Sequence, residues 1–257
     1  MTATLHRDQT VAVAGLKIQL VEGGAGPPLI VLHHDVGSSG WPLLYEALTS
    51  DARVLAPDLP GYGQSDRPDW ARHPRDLAIL LNLLFDKLDV GQATLVGLGF
   101  GGWIAAEMAT MNQRRFSRMV LVGAMGLRPP QGEIADQMMM SLEDYVRSGF
   151  SDAGSYERQF GAEIAKEQRH DWDLSREMTA RVNWKPIMCS LQLPHLLAAV
   201  EIPTLVVWGE DDRIVPLSCG EAYARGLPNA RLEIVKNAGH FVDLEQPEVL
   251  ARLIAGQ

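Results

Sequence analysis

Near the end of the chain, two short segments carry residues suited to proton transfer. Trp208-Gly209-Glu210-Asp211-Asp212 sets an acid pair just beyond a buried apolar run, and Asn237-Ala238-Gly239-His240-Phe241 sets a histidine beyond another. Loops at the carboxyl ends of buried parallel strands are where sheet-and-helix proteins gather working groups. A histidine titrates near neutral pH and can act there as a general base. Gly97-Leu98-Gly99-Phe100-Gly101 follows the apolar run Ala93–Val96 and precedes the helix-like stretch Trp103–Ala109. A strand, a glycine-crowded turn and a helix are the setting of the G-x-S-x-G nucleophile elbow, yet the serine slot holds Gly99. Glycine offers no atom for attack, which removes the acyl-enzyme route.

The elements that must position these residues follow from periodicity. Val11–Val13 and Leu16–Val21 flank Ala14-Gly15 and predict a hairpin. Pro28–Leu32, Arg53–Ala56, Ala93–Val96, Met119–Val122, Thr204–Trp208 and Leu232–Val235 are short apolar runs of the kind that form buried strands. Between them, Trp41–Leu48 is helix-like, and Leu77, Leu81, Leu84 and Leu88 recur at helical spacing over 75–88, with Gly91 as the break. Strands alternating with helices predict an α/β fold with a mostly parallel central sheet flanked by helices. The alternation lapses between about Gly126 and Val200. That stretch is Met-rich, polar and helical in character, with Met138-Met139-Met140, Trp172 and Trp184, and it predicts an inserted helical lid. The expected division is a core of 1–125 and 200–257 with a lid of 126–199.

At 257 residues the chain has room for one large core plus such an insertion. The net charge of −9 argues against a nucleic-acid or anionic-membrane partner, because phosphate binding needs clustered Lys and Arg. A small neutral or weakly charged molecule fits better as substrate. Cys189 and Cys219 show neither C-x-x-C spacing nor a disulfide framework and read as free thiols in a reducing compartment. The first ten residues carry His6, Arg7 and Asp8 without an apolar signal region, and no run reaches membrane-spanning length, so the expectation is cytoplasmic.

Together, Leu32-His33-His34-Asp35-Val36-Gly37-Ser38-Ser39, Asp58-Leu59-Pro60-Gly61-Tyr62-Gly63-Gln64-Ser65, the Gly97–Gly101 turn, and the Asp212 and His240 segments resemble the α/β-hydrolase superfamily. The order is that family's: nucleophile position, acid, histidine, at 99, 212 and 240. The resemblance covers nearly the whole chain and is weakest in the lid. It implies His240 as general base with Asp212 orienting the imidazole, Asp211 being the poorer candidate for the acid. It also implies an oxyanion hole from the backbone N–H groups of Phe100 and Asp35, which needs no particular side chain. His33 matches the family's loop histidine and is expected to hold its loop by hydrogen bonds. The family pattern continues with glycine, whereas this chain has His34, and both His34 and His33 are expected to line the pocket beside Gly99.

The superfamily contains esterases, lactonases, C–C bond hydrolases, lyases and oxygenases, so fold alone names no activity. The leading expectation is hydrolysis of a small, largely apolar ester, lactone or C–C substrate by water activated at His240, without a serine nucleophile and without a cofactor. Other readings are a lyase-type proton transfer by the same dyad, an inactive ligand-binding pseudoenzyme, and an engineered Ser-to-Gly knockout. A knockout leaves His34 unexplained, whereas divergence accounts for both positions in one pocket. His33, His34, Asp35 and Asp58 are metal-ligand types, but adjacent histidines on an extended segment point to opposite sides, which argues against a shared ion. Gly97, Gly99 and Gly102 satisfy G-x-G-x-x-G, but no carboxylate ends the next strand to take a ribose. Ser38, Ser39 and Ser65 lie near the inferred site and read as turn and capping residues.

Overall fold

The computed structural model describes residues 6–38, 40–183 and 188–256; Ser39 and Trp184 lie outside them. Eight strands form one sheet: β1 (His6–Val13), β2 (Leu16–Gly23), β3 (Pro28–Leu32), β4 (Arg53–Pro57), β5 (Ala93–Leu98), β6 (Phe116–Val122), β7 (Thr204–Gly209) and β8 (Ala230–Val235). Their order is β1-β2-β4-β3-β5-β6-β7-β8. The β1–β2 and β2–β4 pairs are antiparallel and every later pair is parallel. This is the α/β-hydrolase arrangement, a mostly parallel sheet flanked by helices.

The composition of each strand explains its place. Thr204–Gly209 is buried throughout, and β3, β5 and β6 nearly so, as suits strands covered on both faces. Their side chains divide by alternation. Ile30, Leu32, Leu95, Met119 and Leu121 join one core, and Leu29, Val31, Val96, Val120 and Val122 the other. The first face is covered by α2 (Pro74–Lys87), α3 (Phe100–Asn112) and α8 (Leu217–Gly226), the second by α1 (Leu43–Leu48) and α10 (Pro247–Ala255). His6–Val13 is polar and mostly exposed, as an edge strand should be. Helix α2 starts where its sequence provides a stop on both sides of a capping box. His73 accepts from the Arg75 N–H while Asp76 accepts from the His73 N–H, and Pro74 takes the first helical position.

Register brings the site together. Leu32 pairs with Gly97 across β3 and β5, Leu98 with Val122 across β5 and β6, Val122 with Val207 across β6 and β7, and Gly209 with Val235 across β7 and β8. The loops after β3, β5, β6, β7 and β8 therefore leave the sheet side by side along one edge. The strand order reverses between β3 and β5, where open α/β sheets form their binding crevice. Between β6 and β7 the chain leaves the sheet for α4 (Leu142–Ser148), α5 (Ala153–Phe160), α6 (Lys166–Asn183) and α7 (Leu193–Leu196). Among the described residues no helix is long and apolar enough to cross a membrane.

Candidate active site

Gly99 forms the turn between β5 and α3 with φ +51° and ψ −112°. Left-handed φ strains residues that carry a Cβ, so the tight turn suits glycine. The turn is anchored on both sides: the Gly99 N–H donates to the Val122 carbonyl (2.8 Å), and the Gly99 carbonyl accepts from the N–H groups of Gly102 and Met125 (3.0 Å each). A Cβ built on Gly99 would lie 2.8 Å from His240 Nε2 and 2.5 Å from His34 Nδ1. Two imidazoles thus converge on the point where a side chain at this position would begin.

His240 stands in the loop after β8, and its imidazole Nδ1 is 2.9 Å from Asp212 Oδ2. Both side chains are essentially without solvent exposure. The other oxygen, Asp212 Oδ1, accepts from the N–H groups of Ile214 (2.9 Å) and Val215 (2.8 Å), which fixes the carboxylate. Since the carboxylate accepts, His240 donates from Nδ1 and leaves the Nε2 lone pair facing Gly99. The two loops are clasped by Asp211 N–H to Ala238 O at 3.0 Å, and His240 N–H donates to Gly149 O at 2.7 Å. Asp211 itself is exposed. Gly123, at φ +55°, makes room for the pair: a Cβ there would lie 3.0 Å from His240 Nδ1 and 3.3 Å from Asp212 Oδ2. Burial alone would lower the His240 pKa. The charge and hydrogen bond of Asp212, with Asp35 and Asp243 behind it, outweigh burial and raise it.

The two histidines after β3 face opposite ways. His33 donates from Nδ1 to the His34 carbonyl (2.7 Å) and accepts at Nε2 from the Leu59 N–H (2.9 Å), so both nitrogens are spent on holding loops. Burial pushes its pKa down to about 4, which keeps the ring neutral. His34 turns toward His240, with ring centroids 5.1 Å apart. His34 Nε2 lies 2.8 Å from Asp243 Oδ1, both side chains being about one-twentieth exposed. Asp243 opens α9 (Val242–Glu245), three residues beyond His240.

The Asp35 carboxylate is fully buried: Oδ2 accepts from Tyr145 Oη (2.7 Å) and from Gln137 Nε2 (2.9 Å), both in the inserted segment. Burial and the neighbouring Asp35 raise the Tyr145 hydroxyl well above its ordinary pKa, so it stays a donor. Thr179 of α6 donates to the Asp35 carbonyl at 3.2 Å. Among the described residues, neither the Asp35 nor the Phe100 backbone N–H donates to a protein acceptor. His34 Nδ1, His240 Nε2 and Asp35 Oδ1 are buried and unpartnered. An unpartnered buried polar atom costs about 1–3 kcal/mol, so the two imidazole nitrogens that converge on Gly99 mark a place for something that supplies donors. Beside them lies a cavity of about 20 Å³ lined by His34, Asp243, Phe160, Gln168 and Trp172. That is room for about one water.

Asp212, His240, Gly99 and His34 are thus brought together, with Phe100 and Asp35 next to Gly99 and His34 in the chain, and His33 lines the cavity beside His34 with both ring nitrogens spent on its loops. Among the described residues no cluster of three or more His, Cys, Asp or Glu is arranged to hold a metal. Ser65 accepts from the Gln19 N–H and donates to the Asp58 carbonyl, and Ser38 accepts from the Gly40 N–H. Cys189 and Cys219 are buried free thiols. The sequence reading missed Asp243, Tyr145, Gln137 and Gly123. Asp243 had one visible signal, its place on the first turn after His240.

The alpha/beta hydrolase family model matches residues 30–253. The chain is 28% identical over 259 residues to a 2-hydroxymuconate semialdehyde hydrolase of Pseudomonas sp. (strain CF600), covering 95% of this chain and 91% of that protein. It is 28% identical over 257 residues to a 2-hydroxy-6-oxononadienedioate/2-hydroxy-6-oxononatrienedioate hydrolase of Paraburkholderia phymatum, covering 91% and 88%. A meta-cleavage product hydrolase (CumD) of Pseudomonas fluorescens IP01 superposes with TM-score 0.79 at 24% identity over 96% of both chains. At that identity the superposition speaks for the fold. With the match running from β3 into the last helix, this chain belongs to the alpha/beta hydrolase family.

Proposed function

We propose that this chain hydrolyses a small, largely apolar ester, lactone or C–C substrate with water in place of a serine nucleophile. The observation that carries the reading is His240 Nε2: buried, unpartnered and 2.8 Å from the point where a side chain on Gly99 would begin, with Nδ1 held by Asp212. A water in that space gives its proton to Nε2 as its oxygen attacks the substrate carbonyl. Asp212 stabilises the imidazolium that forms. The N–H groups of Asp35 and Phe100 are free to receive the developing oxyanion. Residues 126–199 serve as a lid over the core of 1–125 and 200–257. With a cavity of about 20 Å³ beside Phe160 and Trp172, this reading requires the lid to shift to admit substrate. The names of the 28%-identical relatives put C–C hydrolysis on the list of reactions to test beside esters and lactones.

The test is turnover of short-chain p-nitrophenyl and alkyl esters, a γ-lactone and a 2-hydroxy-6-oxo-dienoate in ¹⁸O-labelled water, with a fluorophosphonate control. The expected result is label in the carboxylate product, no covalent labelling, and a loss on the order of 10²–10⁴-fold in His240→Ala. Product release without label assigns a lyase. No turnover of any substrate removes the hydrolase reading and leaves ligand binding.

A further inference from the structure

His34 breaks the family's pattern at the residue after the loop histidine, and the structure gives that departure a function to perform. Its neighbour His33 shows what a structural histidine looks like in this loop, with both ring nitrogens satisfied by backbone groups. His34 has only one satisfied. Its Nε2 is bonded to Asp243 Oδ1 at 2.8 Å, and its Nδ1 is buried, unpartnered and aimed at Gly99. His240 has the same arrangement in mirror image, Nδ1 on Asp212 and Nε2 free. Each carboxylate can only accept, so in the neutral rings both free nitrogens are acceptors. A single water between them can donate one hydrogen to each neutral ring, and when the pair carries a proton the protonated ring becomes a donor to that water.

Resting on the hydrolase reading above, we propose that His34–Asp243 is a second catalytic dyad that supplies the leaving-group proton while His240–Asp212 takes the proton of the attacking water. The step requires one proton on the pair, carried by His34 with Nε2–H on Asp243 and Nδ1–H toward the leaving atom, while His240 Nε2 is free to accept. The water oxygen bonds to the carbonyl carbon, its proton passes to His240 Nε2, and the carbonyl electron pair moves onto the oxyanion. When that pair returns, the bond to the leaving atom breaks with its electrons, and the leaving atom takes the proton of His34 Nδ1. The products are the acid and the protonated leaving group. The proton left on His240 returns to His34 through the next water, so one water is consumed and the protein is restored. In a serine hydrolase one histidine performs both transfers in turn. Here the absent side chain at 99 is what lets a second imidazole reach the same point, since a Cβ would lie 2.5 Å from His34 Nδ1.

The experiment compares an ethyl ester, whose alkoxide must be protonated to depart, with the p-nitrophenyl ester of the same acid, whose phenolate departs without a proton. In His34→Gln and in Asp243→Asn, kcat/KM for the ethyl ester is expected to fall at least ~30-fold more than for the p-nitrophenyl ester. His240→Gln is expected to depress both alike. On the unmodified protein, a proton inventory in mixed H₂O and D₂O is expected to be bowed for the ethyl ester, reporting two protons in flight, and linear for the p-nitrophenyl ester. Equal losses on the two esters with a linear inventory on both would overturn the proposal and make His34 a packing residue. If the unmodified chain hydrolyses neither ester nor any substrate of the wider panel, the hydrolase reading itself falls and this assignment falls with it.

Discussion

His34 and Gly99 occupy each other's space. The imidazole of His34 stands 2.5 Å from where a Cβ on Gly99 would be, and the ring is fixed from behind by Asp243. A side chain at 99 and the imidazole at 34 therefore compete for one point.

Restoring serine alone should consequently fail. Gly99→Ser is expected to remain unlabelled by a fluorophosphonate and to lose stability, because the new Cβ meets a ring that cannot withdraw without breaking its bond to Asp243. The double variant Gly99→Ser with His34→Gly removes the nearer of the two rings and leaves Asp212 and His240, whose Nε2 would lie 2.8 Å from the new Cβ, in place. It is expected to label and to hydrolyse p-nitrophenyl esters, at least ~10²-fold faster than the single variant. Labelling of the single variant to the same extent would show that His34 swings aside freely.

The acid limb of the pH–rate profile follows from His240. A base must be neutral to accept the proton of water, and Asp212, Asp35 and Asp243 raise the His240 pKa against the lowering effect of burial. The limb in kcat/KM is therefore expected above the ordinary histidine value of about 6.5. Asp212→Asn removes the largest raising influence, so the limb should move to lower pH while the rate falls on the order of 10²–10⁴-fold through loss of the correct tautomer. A limb that stays in place in Asp212→Asn would contradict this assignment.

His33 should govern part of the acid sensitivity of the fold. Its folded-state pKa is about 4, below its unfolded value of about 6.5. Between those values the unfolded chain binds more protons than the native one, so stability is full above pH 6.5 and is lost as pH falls toward 4. The contribution is about 3 kcal/mol across that window. Urea midpoints of the parent and of His33→Gln at pH 7 and pH 4.5 measure it: the variant is expected to show the shallower pH dependence.

Tyr145 ties the inserted segment to the loop after β3 through the Asp35 carboxylate, which is buried and, among the described residues, accepts from Tyr145 and Gln137. Tyr145→Phe removes a hydrogen bond to a charged group and is expected to cost about 1.5–3 kcal/mol in urea unfolding. Asn at position 35 should relieve that cost in part, because a neutral amide needs fewer donors. A double-mutant cycle with Asp35→Asn reads the coupling directly.

Much of this architecture was legible in the chain as written. Apolar runs of four or five residues are enough to specify interior parallel strands, since such strands are buried on both faces and need no alternation. The ends were less legible. Strand β6 runs from Phe116, three residues before its apolar run, because Phe116 and Arg118 pair with Ala93 and Thr94 around a bulge at Ser117, and such backbone pairing leaves no mark in side-chain type. The inserted segment could be read as helical, but its helices are polar and their packing onto the loop after β3 depends on side chains that meet only after the sheet has formed. At the site, the sequence placed Asp212, His240 and the glycine at 99 in loops at one sheet edge, because each follows an apolar strand run, while the preference for Asp212 over Asp211 came from the family resemblance. It also determined that His33 and His34 face opposite sides. Only the tertiary structure decided what His34 faces: Asp243 lies 209 positions away in the chain and is brought to His34 by strand order. The same folding turns two ordinary hydrogen-bonded histidines into a pair whose free nitrogens share one point, a relation no local pattern encodes.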